Sequence, residues 1–253
     1  STDVANLIKH LSSGKDVRKL VNEDITLGTD NLIKIVAKAD GLQMGNEELG
    51  LARHFSNSMF NIMRGGIFTN NYTIDKEDFI LFVKQTNTAI SSKYDKWLSS
   101  LQDEIQYHDL IELAKETSDH DLLRISIEYF PITFSRRHGD PSRPWNYFSI
   151  ENKNPDGSTK LYYEGNWRDI FQNWEALALS YPDFVEGMIS KFVNASTFDG
   201  YNPYRITREG IDWEAPDPDD PWAFIGYWGD HQIIYLLKFL EQSVAHHPGK
   251  LDE

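Results

Sequence analysis

Apolar residues recur along the first half of the chain at the spacing of an α-helix. Val4, Leu7, Ile8 and Leu11 fall three and four positions apart, so they share one face of a helix within 2–22. The same pattern predicts further helices at 30–38, 47–63, 76–90, 95–106, 107–115 and 121–129. Because short polar turns join them, the pattern indicates an α/α arrangement of successive helices.

Local signals mark where several of these helices begin and end. Thr73 or Asp75 can cap the helix at 76–90, since a side-chain oxygen at this position accepts from a free backbone N–H of the first turn. Ser118 or Asp119 can do the same at 121–129. Pro131 must end that last helix because proline has no N–H and restricts the residue before it.

The pattern changes after residue 130. Segments 147–150 and 160–164 have the composition of strands, and the sequence between them, Asn154-Pro155-Asp156-Gly157, is a strong turn signal. We therefore predict a small inserted β-hairpin, followed by helices at 169–179, 184–193 and 229–242. The chain divides into a helical region at 1–130 and a region at 131–253 that carries the candidate site, either within one domain or as two.

Charge and composition exclude several classes of function. The chain has 25 Lys and Arg against 39 Asp and Glu, a formal net charge of −14, and such a field repels nucleic acid and anionic membrane surfaces. It has no cysteine, which excludes disulfides and cysteine-based metal sites. No apolar run approaches the roughly 20 residues of a membrane span, and no signal peptide is visible, so we expect a cytoplasmic protein.

Aromatic and acidic residues are concentrated at 162–228. Arg168 and Asp169 stand at the start of a predicted helix, where a carboxylate and a guanidinium can bind sugar hydroxyls. The alternative is a plain first-turn acid that interacts with the helix dipole, beside a structural ion pair. The neighbouring Gln172 and Trp174 favour a site.

A long loop at 199–221 adds further candidates. Aromatic rings can stack on a sugar ring, and acids and arginine can bind its hydroxyls. The substrate-binding candidates from this part of the chain are Tyr204, Arg205, Trp213, Asp219, Asp220 and Trp222. The alternatives are a proline-stiffened acidic surface loop or a calcium loop, although the loop lacks the glycine and terminal glutamate of an EF-hand.

The one basic cluster is Arg136-Arg137-His138, which can receive a phosphate or act in a lid, or can pair with surrounding acids. Asp230, before the last helix, is either a catalytic acid or a helix cap. We find no metal-binding motif.

The order of motifs at 164–241 resembles a known family. A G-N-W-R-D-I-F-Q start is followed by a D-G-Y loop, Y-x-x-T-x-x-G-x-D, and then D-D-P-W. This resembles the inverting disaccharide phosphorylases of the cellobiose and chitobiose type and their glucoamylase-like relatives. The resemblance implies a mainly α fold that is part of an α/α toroid-like helical array, with the small β-hairpin inserted.

The resemblance also implies roles for individual residues. Arg168 and Asp169 take the places of the sugar-binding R-D pair, Gln172 that of the family's glutamine, and Asp219, Asp220 and Trp222 those of the D-D-x-W element. The family's D-W-N-D general-acid motif does not occur in this chain. The general acid is therefore either absent or one of Glu164, Glu214 and Asp230.

The first hypothesis is a carbohydrate-active domain, glycoside phosphorylase-like or hydrolase-like, that binds a small carbohydrate in an aromatic and acidic cleft. It needs no metal or organic cofactor, takes inorganic phosphate as a co-substrate, and belongs to a larger enzyme. The second is a non-catalytic helical module that binds glycan or protein. The third is a purely structural domain, which burial of Trp213, Trp222 and Trp228 would favour.

Overall fold

A computed structural model describes residues 2–13, 16–39, 41–137, 149–150, 153–213, 217–219, 227–228 and 233–252. Most of these residues lie in α-helices, which confirms a mainly α fold. The helices of the described residues are α1 (Thr2–Leu11), α2 (Val17–Lys38), α3 (Glu48–Gly65), α4 (Lys76–Thr86), α5 (Thr88–Lys93), α6 (Asp95–Ser100), α7 (Tyr107–Glu116), α8 (His120–Ile127), α9 (Trp167–Ser180), α10 (Val185–Ala195) and α11 (Ile233–His246). Short 3₁₀ turns follow at Pro182–Phe184 and Lys250–Asp252.

The strands are short and lie between the helices. They are β1 (Ile67–Phe68), β2 (Thr73–Asp75), β3 (Glu104–Gln106), β4 (Ile132–Thr133), β5 (Arg136–Arg137), β6 (Ser149–Ile150), β7 (Glu164–Asn166), β8 (Tyr201–Asn202), β9 (Arg205–Thr207), β10 (Ile211–Asp212) and β11 (Tyr227–Trp228). Among the described residues the largest sheet has five strands in the order β10-β9-β7-β5-β6, and its neighbours are antiparallel except β5 and β7. The other pairs are β1 with β4, β2 with β3, and β8 with β11.

Local chemistry explains several boundaries. Asp75 caps α4 by accepting from the Asp78 N–H at 2.8 Å, and Asp119 caps α8 by accepting from the N–H groups of Asp121 and Leu122. Both caps are among the candidates drawn from the sequence. Gly66 ends α3 at φ +83°, and a Cβ there would lie 2.6 Å from the Thr133 carbonyl oxygen, so only glycine fits this turn.

Several helix boundaries differ from the prediction, two of them for a reason that the contacts show. The helices expected at 2–22 and 30–38 are instead α1 and a 22-residue α2, because Asp16 caps a helix start within the first predicted helix. The helix expected at 95–106 ends at Ser100, and 104–106 form β3 against β2. In both places tertiary or capping contacts override a weak apolar pattern.

The predicted turn at 154–157 is present, but its strands join a wider sheet. The Gly157 N–H donates to the Asn154 carbonyl at 2.9 Å, with Gly157 at φ +87°, and Lys153 bridges Thr159 across the turn. Farther out, β6 and β7 do not pair with each other, because β5 lies between them.

A core rich in aromatic rings lies between the helices. Phe68 and Phe184 stack with ring centroids 3.9 Å apart, and Trp174 meets Phe130 and Tyr163 edge-on at 5.2 Å. Buried residues of this core come from both sides of residue 130, so the two predicted regions share it. A smaller cluster holds Val36 of α2 against the end of α3 and β1.

Helices α3 and α9 approach closely at Gly65. A Cβ at this position would lie 2.7 Å from the Asn173 carbonyl oxygen, so a larger residue would push the helices apart. No helix in the described part of the chain combines the length and the apolar character that a bilayer crossing requires. The toroid itself stays a prediction.

Candidate functional site

The start of α9 and the strands beside it bring several predicted residues together. In the sheet, Asn166 of β7 lies opposite Arg205 of β9, which lies opposite Asp212 of β10. The Trp167 N–H donates to the Tyr204 carbonyl at 3.1 Å, and the Tyr204 N–H donates to the Asp212 carbonyl at 2.9 Å. Backbone pairing therefore fixes these residues side by side although they are far apart in sequence.

Arg205 is the centre of a group that we call the Arg205 cluster, formed by Glu164, Arg205 and Asp212. The Arg205 guanidinium donates to Glu164 Oε1 through Nη1 at 2.8 Å and to Asp212 Oδ2 through Nε at 2.8 Å and through Nη2. The hydrogen bonds that Asp212 accepts from the guanidinium raise the pKa of Arg205 above its usual value. Glu164 is buried, with its other oxygen accepting from the Tyr162 hydroxyl.

Asn166 lies opposite Arg205 in the sheet, and its side-chain oxygen is buried without a hydrogen-bond donor among the described residues. Its Oδ1 is shielded from solvent and accepts no hydrogen bond within the described residues. Leaving such an atom unpaired costs about 1–3 kcal/mol. A ligand hydroxyl or water that donated to this oxygen would remove that cost.

The first turn of α9 adds a carboxylate and a guanidinium. Asp169 is buried, and the Arg168 Nε donates to its Oδ1 at 3.4 Å. Asn166, which precedes the helix, provides no side-chain cap. The negative charge of Asp169 lies in the first turn of α9, where the helix dipole stabilises it. This position therefore fits a purely structural role as well as a role in binding.

The predicted aromatic residues divide between surface and core. Trp213 directly follows Asp212 in the chain and is 39% exposed, so part of its side chain is accessible to solvent. Trp174 is only 1% exposed and is packed among Phe130, Tyr163 and Phe171, so it has no face for a sugar in this structure. The helical spacing places position 174 on the buried side of α9.

The remaining described candidates lie apart from the cluster. Gln172 is exposed on α9, and its backbone carbonyl accepts from Arg64 Nη2 at 2.9 Å. Asp219 is exposed, and its N–H donates to the Asp217 carboxylate. No contact joins either side chain to the Arg205 cluster within the described residues.

Other candidates lie outside the described residues. These are the acids Glu214 and Asp230, the loop residues Asp220 and Trp222, and His138 of the basic cluster. The backbone of Arg136 and Arg137 forms β5, whose register places Arg137 beside Glu164. Trp228 is described through its backbone alone, which pairs with Tyr201.

The structure also shows a salt bridge that the sequence did not predict. Arg208 is 8% exposed and donates through Nη2 to the Asp78 carboxylate, which also accepts from the Tyr129 hydroxyl. This salt bridge joins Arg208, the residue after β9, to Asp78 of α4 within 68–131. Because the partners are separated by up to 130 positions, no local sequence signal could have paired them.

A second group of ionisable residues that the sequence did not predict lines a cavity of about 290 Å³ beside α7, α10 and the end of α11. His247 lies between two carboxylates, with Nδ1 2.9 Å from Glu186 Oε1 and Nε2 3.2 Å from Asp183 Oδ1. Burial lowers the pKa of His247, but the hydrogen bond to Glu186 and the charges of both acids outweigh it and raise the pKa above its usual value. Ser243 of α11 and His247, directly after the end of that helix, lie four positions apart, which is the only hint in the sequence.

Neither group forms a metal centre. The part of the chain that the structure describes contains no set of three or more histidine, aspartate or glutamate side chains arranged to hold a metal ion. The arrangement around Arg205 instead offers paired charges, a buried acceptor and an accessible indole. Such groups bind neutral polar molecules through hydrogen bonds and ring stacking.

Comparison with known families identifies one segment. The model of "Glycoside hydrolase family 149 insertion domain 1" matches residues 68–131, about a quarter of the chain, from β1 to just past α8. No curated protein matches the chain. The matched segment precedes the stretch at 164–241 that carries the resemblance to disaccharide phosphorylases.

The segment at 68–131 is therefore related to glycoside hydrolases. An insertion domain is part of a larger enzyme, which fits the expectation that the chain belongs to one.

Proposed function

We propose that the chain is a carbohydrate-active domain, glycoside phosphorylase-like or hydrolase-like, that binds a sugar at the Arg205 cluster. The observation that carries this proposal is the row of Asn166, Arg205 and Asp212 across three strands. Trp213, the next residue in the chain after Asp212, is 39% exposed. The match of 68–131 to a glycoside hydrolase insertion domain supports the same class.

The chemistry of the row suits a polyhydroxylated ligand. Arg205 and Asp212 supply charged donors and acceptors, the unpaired Asn166 Oδ1 supplies a buried acceptor, and the Trp213 indole supplies a surface for stacking. Asp169 and Arg168 extend the polar surface to the start of α9. In this proposal the sugar ring stacks on Trp213, and its hydroxyls bind the charged groups.

In this proposal the general acid is either absent from this chain or one of Glu164, Glu214 and Asp230. In phosphorolysis with inversion, an acid protonates the glycosidic oxygen while phosphate attacks the anomeric carbon, so no metal or organic cofactor is needed. Both oxygens of Glu164 already accept hydrogen bonds, from Arg205 and from Tyr162. This arrangement favours a positioning role for Glu164 and leaves Glu214 and Asp230 as the stronger candidates.

Binding can be tested by isothermal titration calorimetry with disaccharides of different linkage. We expect Asp212→Asn to weaken binding about 10- to 100-fold, because a hydrogen bond to a charged group contributes about 1.5–3 kcal/mol. Glu209→Gln is the matched control, since Glu209 lies exposed in the turn between β9 and β10. Equal affinity of the Asp212→Asn variant and the wild type would contradict the proposed site.

A non-catalytic glycan-binding or protein-binding module is the second candidate. The matched family model describes an insertion domain, and the hydrogen bonds that occupy Glu164 favour this alternative over catalysis by that residue. Phosphate-dependent release of a sugar phosphate from a disaccharide separates the two. Turnover that is lost in Glu214→Gln or Asp230→Asn supports the enzyme, whereas binding without turnover supports the module.

A further inference from the structure

A cavity of about 270 Å³ lies between the end of α2, the strands β1 and β4, and the turn at 153–159. Lys34 and Lys38 of α2 and Lys153 of the turn line it, and we call it the lysine cavity. Ile35, Ile67 and Phe134 form its apolar wall, and the other lining residues are Asn31, Thr133 and Thr159. No acidic side chain is among these lining residues.

Two anchors hold the end of α2 in place over this cavity. Val36 is fully buried against Ile62 and Ile67, and the Tyr181 hydroxyl donates to the Lys38 carbonyl at 2.9 Å. On the other side, Lys153 bridges Thr159 across the turn. The end of α2 is therefore fixed by burial and by a hydrogen bond, and Lys153 by a bridge within its own turn.

The three ammonium groups have no anionic partner within the described residues. Lys34 and Lys38 lie four positions apart on one face of α2, where like charges repel and destabilise a helix. In a chain with 39 acidic and only 25 basic residues, three lysines gathered around one cavity without an acid are unexpected. A bound anion would offset their repulsion.

We propose that the lysine cavity binds a small ligand that carries a phosphate group. The three ammonium groups neutralise the phosphate, the Asn31 amide and the Thr159 hydroxyl add uncharged donors, and the wall of Ile35 and Phe134 covers the rest of the ligand. Free phosphate and a phosphorylated sugar share this chemistry. The site is separate from the Arg205 cluster and does not depend on sugar binding there.

Isothermal titration calorimetry of the full chain tests the proposal with inorganic phosphate, glucose 1-phosphate and glucose. We expect saturable binding of the two phosphates, weakened at high ionic strength, and no binding of glucose to this cavity. Lys34→Gln combined with Lys153→Gln should lower the affinity for phosphate about tenfold or more, which corresponds to about 1.4 kcal/mol. Tighter binding of glucose 1-phosphate than of phosphate would identify the phosphorylated sugar as the preferred ligand.

The matched control is Lys84→Gln combined with Lys96→Gln, which makes the same change in charge at two exposed lysines outside the cavity. Absence of saturable phosphate binding in the wild type, or equal loss in both double variants, would overturn the proposal. The Asp212→Asn variant distinguishes the two sites, because it should retain phosphate binding. If this variant loses sugar binding but retains phosphate binding, the loss is assigned to the Arg205 cluster and the proposal for the lysine cavity stands.

Discussion

Helices α2 and α9 both contain regularly spaced apolar residues, but they differ in how much of each is buried. Helix α9 buries eight of its 14 residues, whereas α2 buries one of its 22. On α2, Val21 is 52% and Ile25 is 63% exposed, while Trp167 and Phe171 of α9 are fully buried. Apolar spacing thus predicts a helix in both cases, but it does not predict how far the apolar face is covered.

The difference comes from the neighbours of each helix. Helix α9 packs against α3, α11 and β7, and its rings form the centre of the core. Helix α2 is held at its C-terminal end, where Val36 packs against Ile62 and Ile67. The anchored end of α2 is also the part that carries the lysine cavity.

The comparison of α2 with α9 predicts its largest change in the free energy of unfolding for Trp174→Ala in α9. Removing a buried tryptophan leaves a cavity among Phe130, Tyr163 and Phe171, and such substitutions destabilise by about 3–5 kcal/mol. Guanidinium denaturation followed by circular dichroism measures the change in the free energy of unfolding. Leu179→Ala on the same helix is the control, because Leu179 is 56% exposed and should cost about 0.5 kcal/mol or less. Similar effects of both variants would contradict the burial of Trp174 on the core-facing side of α9.

The sequence predicts the helices better than their environment. Asp75, Asp119 and Gly66 act through local geometry, so their roles in capping and turning could be predicted from the chain alone. The pairing of β5 between β6 and β7 depends on contacts across the sheet. No local signal carries that information, and the wider sheet was therefore missed.

The candidate site likewise combines residues that the sequence could identify with residues that only the structure reveals. Arg205 and Trp213 could be selected because charged and aromatic residues are dense in that stretch, and in the structure Arg205 pairs with Asp212 while Trp213 is partly exposed. Trp174 was selected for the same reason, yet its position on the helix puts it in the core. The role of Asn166 depends on an unpaired buried oxygen, which only the three-dimensional arrangement reveals.

A smaller effect is expected from His247, which follows α11 and contacts Glu186 of α10 and Asp183 of the preceding 3₁₀ turn. Because its pKa is raised in the folded state, its contribution to stability is complete below the unfolded pKa of about 6.5 and is lost as pH rises through the raised value. The ionisable groups facing it are Asp183 and Glu186, with Tyr107, His108, Glu112 and Lys250 around the same cavity. For a partly exposed pair we expect a loss of about 0.2–1 kcal/mol.

Thermal unfolding of the wild type and of His247→Gln between pH 5.5 and pH 8.5, a range of about one to two units on each side of the usual histidine pKa, measures this contribution. The wild type should lose its advantage over the variant as pH rises. The other histidines titrate in both proteins, so only the difference between the two curves reports on His247. A constant difference at every pH would contradict the ionic role of His247.

The smallest effect is expected from Ile25→Ser in α2. Ile25 is 63% exposed, and isoleucine and serine have similar helix propensities, so the free energy of unfolding should change by about 0.5 kcal/mol or less. Val36→Ala on the same helix is the matched comparison, because Val36 is fully buried and the loss of its methyl groups should cost about 2 kcal/mol. A cost above about 1 kcal/mol for Ile25→Ser, well outside the range for surface substitutions, would show that another surface covers this face of α2 in solution. In that case the contrast between α2 and α9 would hold for this chain by itself but not for its assembled form.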